Sequence, residues 1–270
     1  MIDEKSIEEK ILNETPRMKL DDAFSFRCGK DLDCFTHCCS DVSIFLTPYD
    51  VLRLRKALKM DSTEFLAKHA VVQYAKDHGI PLLILKMDPE TKKCLLLGEE
   101  GCGVYGNRPW ACRMYPLGVA TPRNPQPEAQ TFYFILKEAL CHGHGAGREM
   151  TVREWIQDQG IEEYDMMGAS FRDLMLHPRW DKKEPLPAEK VEMYTMACYD
   201  LDRFRRFVFE SRFLKIFDVD EARVEVMKED DEELLEFAIQ WLKYFLFGER
   251  TMKVRPEALE EKRRAMEARA

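Results

Sequence analysis

Four cysteines lie within the twelve residues CGKDLDCFTHCC, and the last two are adjacent. The nine cysteines of the chain occupy positions 28, 34, 38, 39, 94, 102, 112, 141 and 198. Neighbouring side chains of an extended chain point in opposite directions. Adjacent Cys38 and Cys39 therefore either serve different centres or require a kink in the backbone. Three roles suit such dense thiols: a disulfide staple, a set of metal ligands, or a reactive thiol with a resolving partner.

The redox compartment helps to choose among these roles. The N-terminal stretch MIDEKSIEEKILNETPRMKL mixes acidic and basic residues and lacks the apolar core of a signal peptide. No later window is apolar for long enough to cross a bilayer, so we expect a cytoplasmic protein without a membrane span. A reducing compartment and an odd number of cysteines favour metal ligands or reactive thiols over disulfides.

The composition and net charge limit which classes of partner the protein is expected to bind. Apolar residues make up 45% of the 270 residues, which is enough for a globular core. The net charge is −8, from 41 basic and 49 acidic residues. This balance lacks the basic surface that nucleic acids or anionic membranes attract, so we expect neither as a partner.

The cysteine spacing excludes the commonest metal motifs. The chain contains no C-x2-C pair, which zinc ribbons, thioredoxin-like sites and the usual ferredoxin run all use. The segment KKCLLLGEEGCGVYGNRPWACRMYPLG nevertheless looks built for thiolates. Glycines flank Cys102, where backbone N–H groups could approach a sulfur. Arg108 and Arg113 bracket Cys112, where they could balance the negative charge of a metal thiolate.

A family resemblance covers roughly residues 24–145. The patterns C-F-x-x-C-C, F-L-T-P-Y-D-V-L-R-L and G-C-x-V-Y-x-x-R-P-x-x-C-R-x-Y-P-L resemble the YkgJ cysteine-cluster family, a zinc- or iron-chelating domain. The same signature occurs in flagellin lysine-N-methylase. The spacing between Cys28, Cys34 and Cys38 departs from the commonest family pattern, which leaves the ligand assignment in this first loop open.

The resemblance implies a metal centre, and its position-by-position transfer implies a ligand set. That set is Cys28, Cys34, Cys38, Cys39, Cys94, Cys102, Cys112 and Cys141. Eight thiols suffice for two four-thiolate sites, or for one cluster with spare or redox-active cysteines. Zinc would form a closed structural site, whereas an iron–sulfur cluster accepts irregular spacing from distant segments. Spacing and resemblance together favour an iron–sulfur cluster over zinc.

Two functional alternatives remain open. The signature shared with flagellin lysine-N-methylase implies a protein-lysine N-methyltransferase that uses S-adenosylmethionine and acts on a protein substrate. The other alternative is a zinc-stabilised module that binds a protein partner through its helices. Neither catalytic residues nor a methyl-donor pocket can be identified from the sequence. His142 and His144 could ligate a metal in place of a thiol, and His37 could tune a neighbouring thiolate. Cys198 lies in an aromatic helical run, which predicts a buried apolar role.

The elements around these residues predict an α+β fold: a small cysteine-rich metal-binding domain with short strands and helices, plus a mainly helical C-terminal region. The predicted divisions are an arm at 1–18, a cysteine-cluster domain at 19–148, a helical region at 149–248 and a charged helical tail at 249–270. Thr47-Pro48-Tyr49-Asp50 predicts a helix start, and Thr151 with Glu154 predicts a capping box. Residues 79–88 and 93–98 predict a hairpin around a polar turn.

Overall fold

A computed structural model describes residues 15–75, 79–121 and 131–267. The α+β class is confirmed, because short strands in small sheets precede a helical C-terminal region. Most of the predicted arm at 1–18 lies outside the described residues, and the predicted domain boundaries stay a prediction. The helix Pro256–Glu267 lies within the stretch predicted as a charged helical tail. Within the described part of the chain, no helix combines the length and apolar character needed to cross a bilayer.

The strands are short and pair antiparallel. They are β1 (Ala23–Phe26), β2 (Phe45–Leu46), β3 (Ala70–Tyr74), β4 (Pro81–Leu85), β5 (Leu97–Gly98), β6 (Gly101–Cys102), β7 (Leu117–Ala120), β8 (Phe132–Ile135) and β9 (His144–Thr151). Their sheets pair β1 with β9, β5 with β6 and β7 with β8, and place β4 between β2 and β3.

The helices are concentrated after β9. They are α1 (Pro48–Leu58), α2 (Ser62–His69), α3 (Trp110–Met114), α4 (Val152–Asp158), α5 (Ile161–Met167), α6 (Ala169–Met175), α7 (Ala188–Tyr199), α8 (Leu201–Glu210), α9 (Phe213–Ile216), α10 (Glu221–Glu229), α11 (Asp231–Leu242) and α12 (Pro256–Glu267). A π-helical turn, Lys243–Phe247, continues α11.

The chain forms two compact units that interleave along the sequence. The cysteine unit comprises Met1–Ile44, Met87–Tyr105 and Pro109–Tyr164. The helical unit comprises Phe45–Lys86, Gly106–Arg108 and Asp165–Ala270. All eight predicted ligands fall in the cysteine unit, and Cys198 falls in the helical unit.

The cysteine unit has its own apolar core at the paired strands β1 and β9. The buried side chains of this core are Phe26, Met114, Leu117, Met150, Val152, Trp155, Ile156 and Ile161. The predicted capping box at the start of α4 is confirmed. Thr151 Oγ1 accepts from the Glu154 N–H at 3.2 Å, and the Glu154 carboxylate accepts from the Thr151 N–H at 2.7 Å. This cap fixes where β9 ends and α4 begins.

The helical unit packs α1 and α2 with the C-terminal helices α7, α8 and α11. Its core includes fully buried Tyr49, Phe65, Tyr194 and Phe204. The predicted start of α1 is confirmed, since Thr47 Oγ1 accepts from the Asp50 N–H at 3.1 Å.

The predicted hairpin between 79–88 and 93–98 is wrong. The polar turn does form, because the Asp88 N–H donates to the Lys93 carbonyl at 2.8 Å. Beyond it, Met87 and Cys94 make only an isolated bridge. Strand β4 pairs instead with β2 and β3, and β5 pairs with β6. Apolar side chains on both faces of β4 gain more burial from two partner strands than a hairpin would provide.

Candidate metal centre

Residues 28–39 fold as a series of tight turns. The N–H groups of Leu32, Phe35, His37 and Cys39 each donate to the carbonyl three residues earlier, at 2.9 to 3.1 Å. The last of these turns is a 3₁₀ turn, His37–Cys39, preceded by Thr36 in the left-handed region at φ 68°. This is the kink that two adjacent cysteines required, and it brings the thiols of Cys38 and Cys39 into a hydrogen bond with each other.

The second cysteine segment docks directly on the first. The Cys94 N–H donates to the Cys39 carbonyl, and the Asp41 N–H donates to the Lys92 carbonyl, both at 2.8 Å. Asp41 and Lys92 both have positive φ, at 52° and 60°. Left-handed backbone costs a non-glycine residue free energy, so the surrounding contacts must hold this junction in place.

The hairpin β5–β6 brings Cys102 near Cys94. Leu97 is paired with Cys102, and the Gly103 N–H donates to the Leu96 carbonyl at 2.9 Å. Gly101 turns the hairpin at φ 114°, and a Cβ there would lie 3.1 Å from the Phe35 ring. Glycine therefore allows both the turn and the close approach of Phe35.

The thiols of this region interact electrostatically. The pKa of Cys39 is raised far above its usual range by the hydrogen bond with Cys38, then by burial, and then by the charges of Cys38, Cys112 and Cys94. Burial also raises the pKa of Cys94, and the charge of Cys102 acts in the same direction. A hydrogen bond from the Leu96 N–H to Cys94 opposes this shift. Like charges that act on one another make each thiolate less stable without a compensating cation.

Tyr115 joins Cys141 to the same group. Burial raises the pKa of the Tyr115 hydroxyl, and a hydrogen bond with the Cys141 thiol and the charges of Cys141, Glu138 and Cys38 raise it further. Apart from the weakly accepting Cys141 thiol, this buried hydroxyl has no hydrogen-bond partner among the described residues. Nε2 of His144 is also buried and has no hydrogen-bond partner among the described residues. The His144 ring lies 6.4 Å from the Tyr115 ring. Burial lowers the pKa of His144, which favours its neutral form.

These interactions define a thiol group, by which we mean Cys38, Cys39, Cys94, Cys102, Cys112 and Cys141. Its members come from four separate stretches of the chain, and Cys112 reaches it from α3. Six of the eight predicted ligands therefore lie in one electrostatically connected set. Their role as ligands stays a prediction.

The other two predicted ligands have different surroundings. Cys34 is buried, and its sulfur accepts a hydrogen bond from the His142 N–H at 3.3 Å. His142 Nδ1 in turn lies 2.7 Å from Asp33 Oδ1, and this hydrogen bond lowers the pKa of Asp33. Cys28 is exposed and follows β1, beside the ion pair between Arg27 and Asp31.

The structure also shows the surroundings of Arg113, Arg108 and Cys198, which the sequence singles out. Arg113 donates to the Gln159 carbonyl at 2.6 Å and stacks on Tyr164 at 4.6 Å, so its guanidinium is engaged with α4 and α5. Arg108 belongs to the helical unit. Cys198 is buried in the helical unit as predicted, and burial raises the pKa of its thiol.

Sequence reasoning missed Asp33 and Tyr115. Asp33 carries no signal of its own, because its partner His142 lies more than a hundred residues away. Tyr115 sits inside the quoted pattern C-R-x-Y-P, so a signal existed, but its buried hydroxyl is visible only in the fold.

The donor chemistry of the thiol group fits a metal. Sulfur ligands suit zinc and iron–sulfur clusters, and a cation would relieve the mutual repulsion of the thiolates. The hydroxyl of Tyr115, which interacts with the Cys141 thiol, could donate to a metal-bound sulfur, as groups behind metal ligands commonly do. This donor set is typical of a thiol-rich chelating domain.

The comparison with protein families agrees. Residues 27–142 match the family CxxCxxCC, described as "Putative zinc- or iron-chelating domain". The predicted resemblance to a cysteine-cluster family is thereby confirmed over this segment, and the match ends before the C-terminal helices. Comparisons with curated proteins and with solved structures gave no match.

Proposed function

We propose that this protein holds an iron–sulfur cluster through the thiol group, with zinc as the alternative metal. The observation that carries the proposal is the mutual interaction of thiols from four distant stretches of chain, centred on Cys39. Thiols whose negative charges act on one another gain from a shared cationic centre. The family description as zinc- or iron-chelating supports the same conclusion.

Two features favour a cluster over a single zinc ion. A structural zinc ion takes four ligands, whereas the thiol group contains six thiols. The irregular spacing also suits a cluster, which is larger than one ion and is held by thiolates from separated segments. A bound cluster would supply electron transfer or structural cross-linking. The chain's own contribution would be to hold the thiols, exclude water around Cys39 and Cys94, and donate hydrogen bonds from Leu96 and Tyr115.

Metal analysis of anaerobically purified full-length protein tests this proposal. A brown protein with matching iron and inorganic sulfide is expected, whereas a colourless protein with stoichiometric zinc would select the alternative. Cys39→Ser and Cys112→Ser should each lower metal content several-fold. Cys198→Ala is the matched control, because Cys198 lies in the helical unit. Equal loss in all three variants would contradict the ligand assignment.

The methyltransferase alternative rests on the shared cysteine signature alone. Calorimetry with S-adenosylmethionine on cluster-loaded protein tests it, and an absence of binding heat would remove it. The third alternative, a zinc-stabilised interaction module, requires zinc without iron in the same metal analysis. The nine cysteines, all within the described residues, form no disulfide with one another, which suits the proposed cytoplasmic location.

A further inference from the structure

A second set of potential ligands lies in the cysteine unit beside the thiol group's Cys141. The sulfur of Cys34, a carboxylate oxygen of Asp33 and a ring nitrogen of His142 all lie within 4.8 Å of one another. Among the described residues, these three are the set of His, Cys, Asp or Glu side chains whose ligand atoms lie this close to one another. Cys34 is buried at 8% exposure, whereas the side chains of Asp33 and His142 are 78% and 55% exposed.

We infer that Asp33, Cys34 and His142 form a separate mononuclear zinc site. Donors at zinc bond lengths of about 2.0–2.3 Å around a tetrahedral ion lie roughly 3–4 Å apart, and the observed spacing is compatible with that. One sulfur, one nitrogen and one oxygen form a mixed donor set that zinc accepts readily. A thiolate and a carboxylate together match the charge of a divalent ion.

The backbone beneath these ligands is held in place. The Arg27 N–H donates to the Gly143 carbonyl at 3.1 Å, which ties the loop after His142 to the end of β1. A Cβ on Gly143 would lie 2.3 Å from the Arg27 carbonyl, so only glycine permits this approach. On the other side, the turn that joins Cys34 and His37 fixes Cys34.

Only the exposed side chains would have to adjust on binding. The hydrogen bond between His142 and Asp33 would be exchanged for two metal bonds. The hydrogen bond from the His142 N–H to the Cys34 sulfur can persist, because metal-bound thiolates commonly accept backbone donors. Three protein ligands leave a fourth position open to solvent, which is the arrangement of an accessible rather than a closed zinc site.

Cobalt titration of the full chain tests this inference, since Co²⁺ is coloured where Zn²⁺ is silent. After the thiol group has been loaded with iron and sulfide, Co²⁺ should add one equivalent with a thiolate charge-transfer band that Zn²⁺ abolishes. His142→Ala and Asp33→Asn should each weaken cobalt binding about tenfold or more. Asp31→Asn is a matched control from the same segment and should bind like the wild type.

The outcome separates this site from the proposed cluster. Unchanged iron and sulfide in His142→Ala, together with a lost cobalt band, is the expected result. Unaltered cobalt binding in both His142→Ala and Asp33→Asn would overturn the inference. So would loss of iron in His142→Ala, because His142 would then belong to the cluster. If the thiol group takes up no iron, the dependence of the cobalt band on His142 still decides the question.

Discussion

Tyr115 places a buried hydroxyl beside a candidate metal ligand. It follows α3, which carries Cys112, and its hydroxyl is buried beside the Cys141 thiol. A buried hydroxyl without a well-placed partner costs about 1–3 kcal/mol, and a donor to a metal-bound sulfur recovers part of that cost. The same atom therefore has opposite effects in the two states of the protein.

Tyr115→Phe should separate these effects. In metal-free protein we expect the free energy of unfolding to stay the same or rise by about 1 kcal/mol, because a buried hydroxyl with only a weak thiol partner is removed. In loaded protein we expect the metal to be lost about tenfold more readily to a chelator. Urea unfolding and chelator competition measure the two effects. Tyr74→Phe, at an exposed position on β3, is the control. Identical metal retention in Tyr115→Phe and wild type would refute the role of the hydroxyl.

At this scale, the sequence identified the thiols but not their neighbours. The family resemblance implied eight cysteine ligands, and six of them, Cys38, Cys39, Cys94, Cys102, Cys112 and Cys141, interact electrostatically in the structure. Which thiols meet depends on the left-handed backbone at Thr36, which no residue preference of threonine predicts. The pairing of Asp33 with His142 is equally a product of the folded chain.

At the scale of elements, local signals predicted helix starts well and strand partners poorly. The caps at Thr47 and Thr151 form as predicted, because a side chain there bonds to a backbone group three residues away. Strand β4 pairs with strands that lie earlier in the chain, so the turn at 88–92 could not determine its partners. A turn fixes a reversal of the chain, whereas the strand pairs where burial is greatest.

The junction of α2 with α8 allows a prediction about acid stability. Asp202, in the first turn of α8, accepts from the Ser62 N–H at 2.7 Å and lies 3.4 Å from Arg55. Burial alone would raise the pKa of Asp202, but the hydrogen bond from Ser62 and the charge of Arg55 outweigh it and lower the pKa. A lowered pKa stabilises the fold above the ordinary carboxyl range of about 4, and this contribution is lost as the pH falls through the native pKa.

Asp202→Asn should therefore lower the free energy of unfolding by about 1–2 kcal/mol near pH 7. The difference from wild type should shrink as the pH approaches about 2, because the wild-type carboxylate is then protonated. Urea unfolding as a function of pH, followed by tryptophan fluorescence, measures this. Asp173→Asn, at an exposed position in α6, should leave the pH profile unchanged. A constant difference across the pH range would contradict the assignment.

At the scale of the whole molecule, the chain returns to each unit more than once. Residues 45–86 lie between cysteine segments in the sequence, yet they pack with the C-terminal helices in the helical unit. The Ser62 hydroxyl, for example, donates to Asp200 at 2.6 Å, across 138 residues. Cysteine content indicates where a metal is held, but it cannot reveal such packing, because α1 and α2 carry no cysteine.

Metal removal should consequently affect the two units unequally. The thiol group lies wholly in the cysteine unit, and the apolar core there is small beside the aromatic core of the helical unit. The free energy of metal binding contributes to the folding free energy of the segments that supply the ligands. After anaerobic chelation, we expect amide hydrogen exchange to accelerate at least tenfold in 34–41 and 92–103. Exchange in α7 and α11 should change less than twofold.

Native mass spectrometry must verify metal loss in the same sample. Equal acceleration in both units would show that the metal stabilises the whole chain, and unchanged exchange at 34–41 would show that these segments do not depend on a metal.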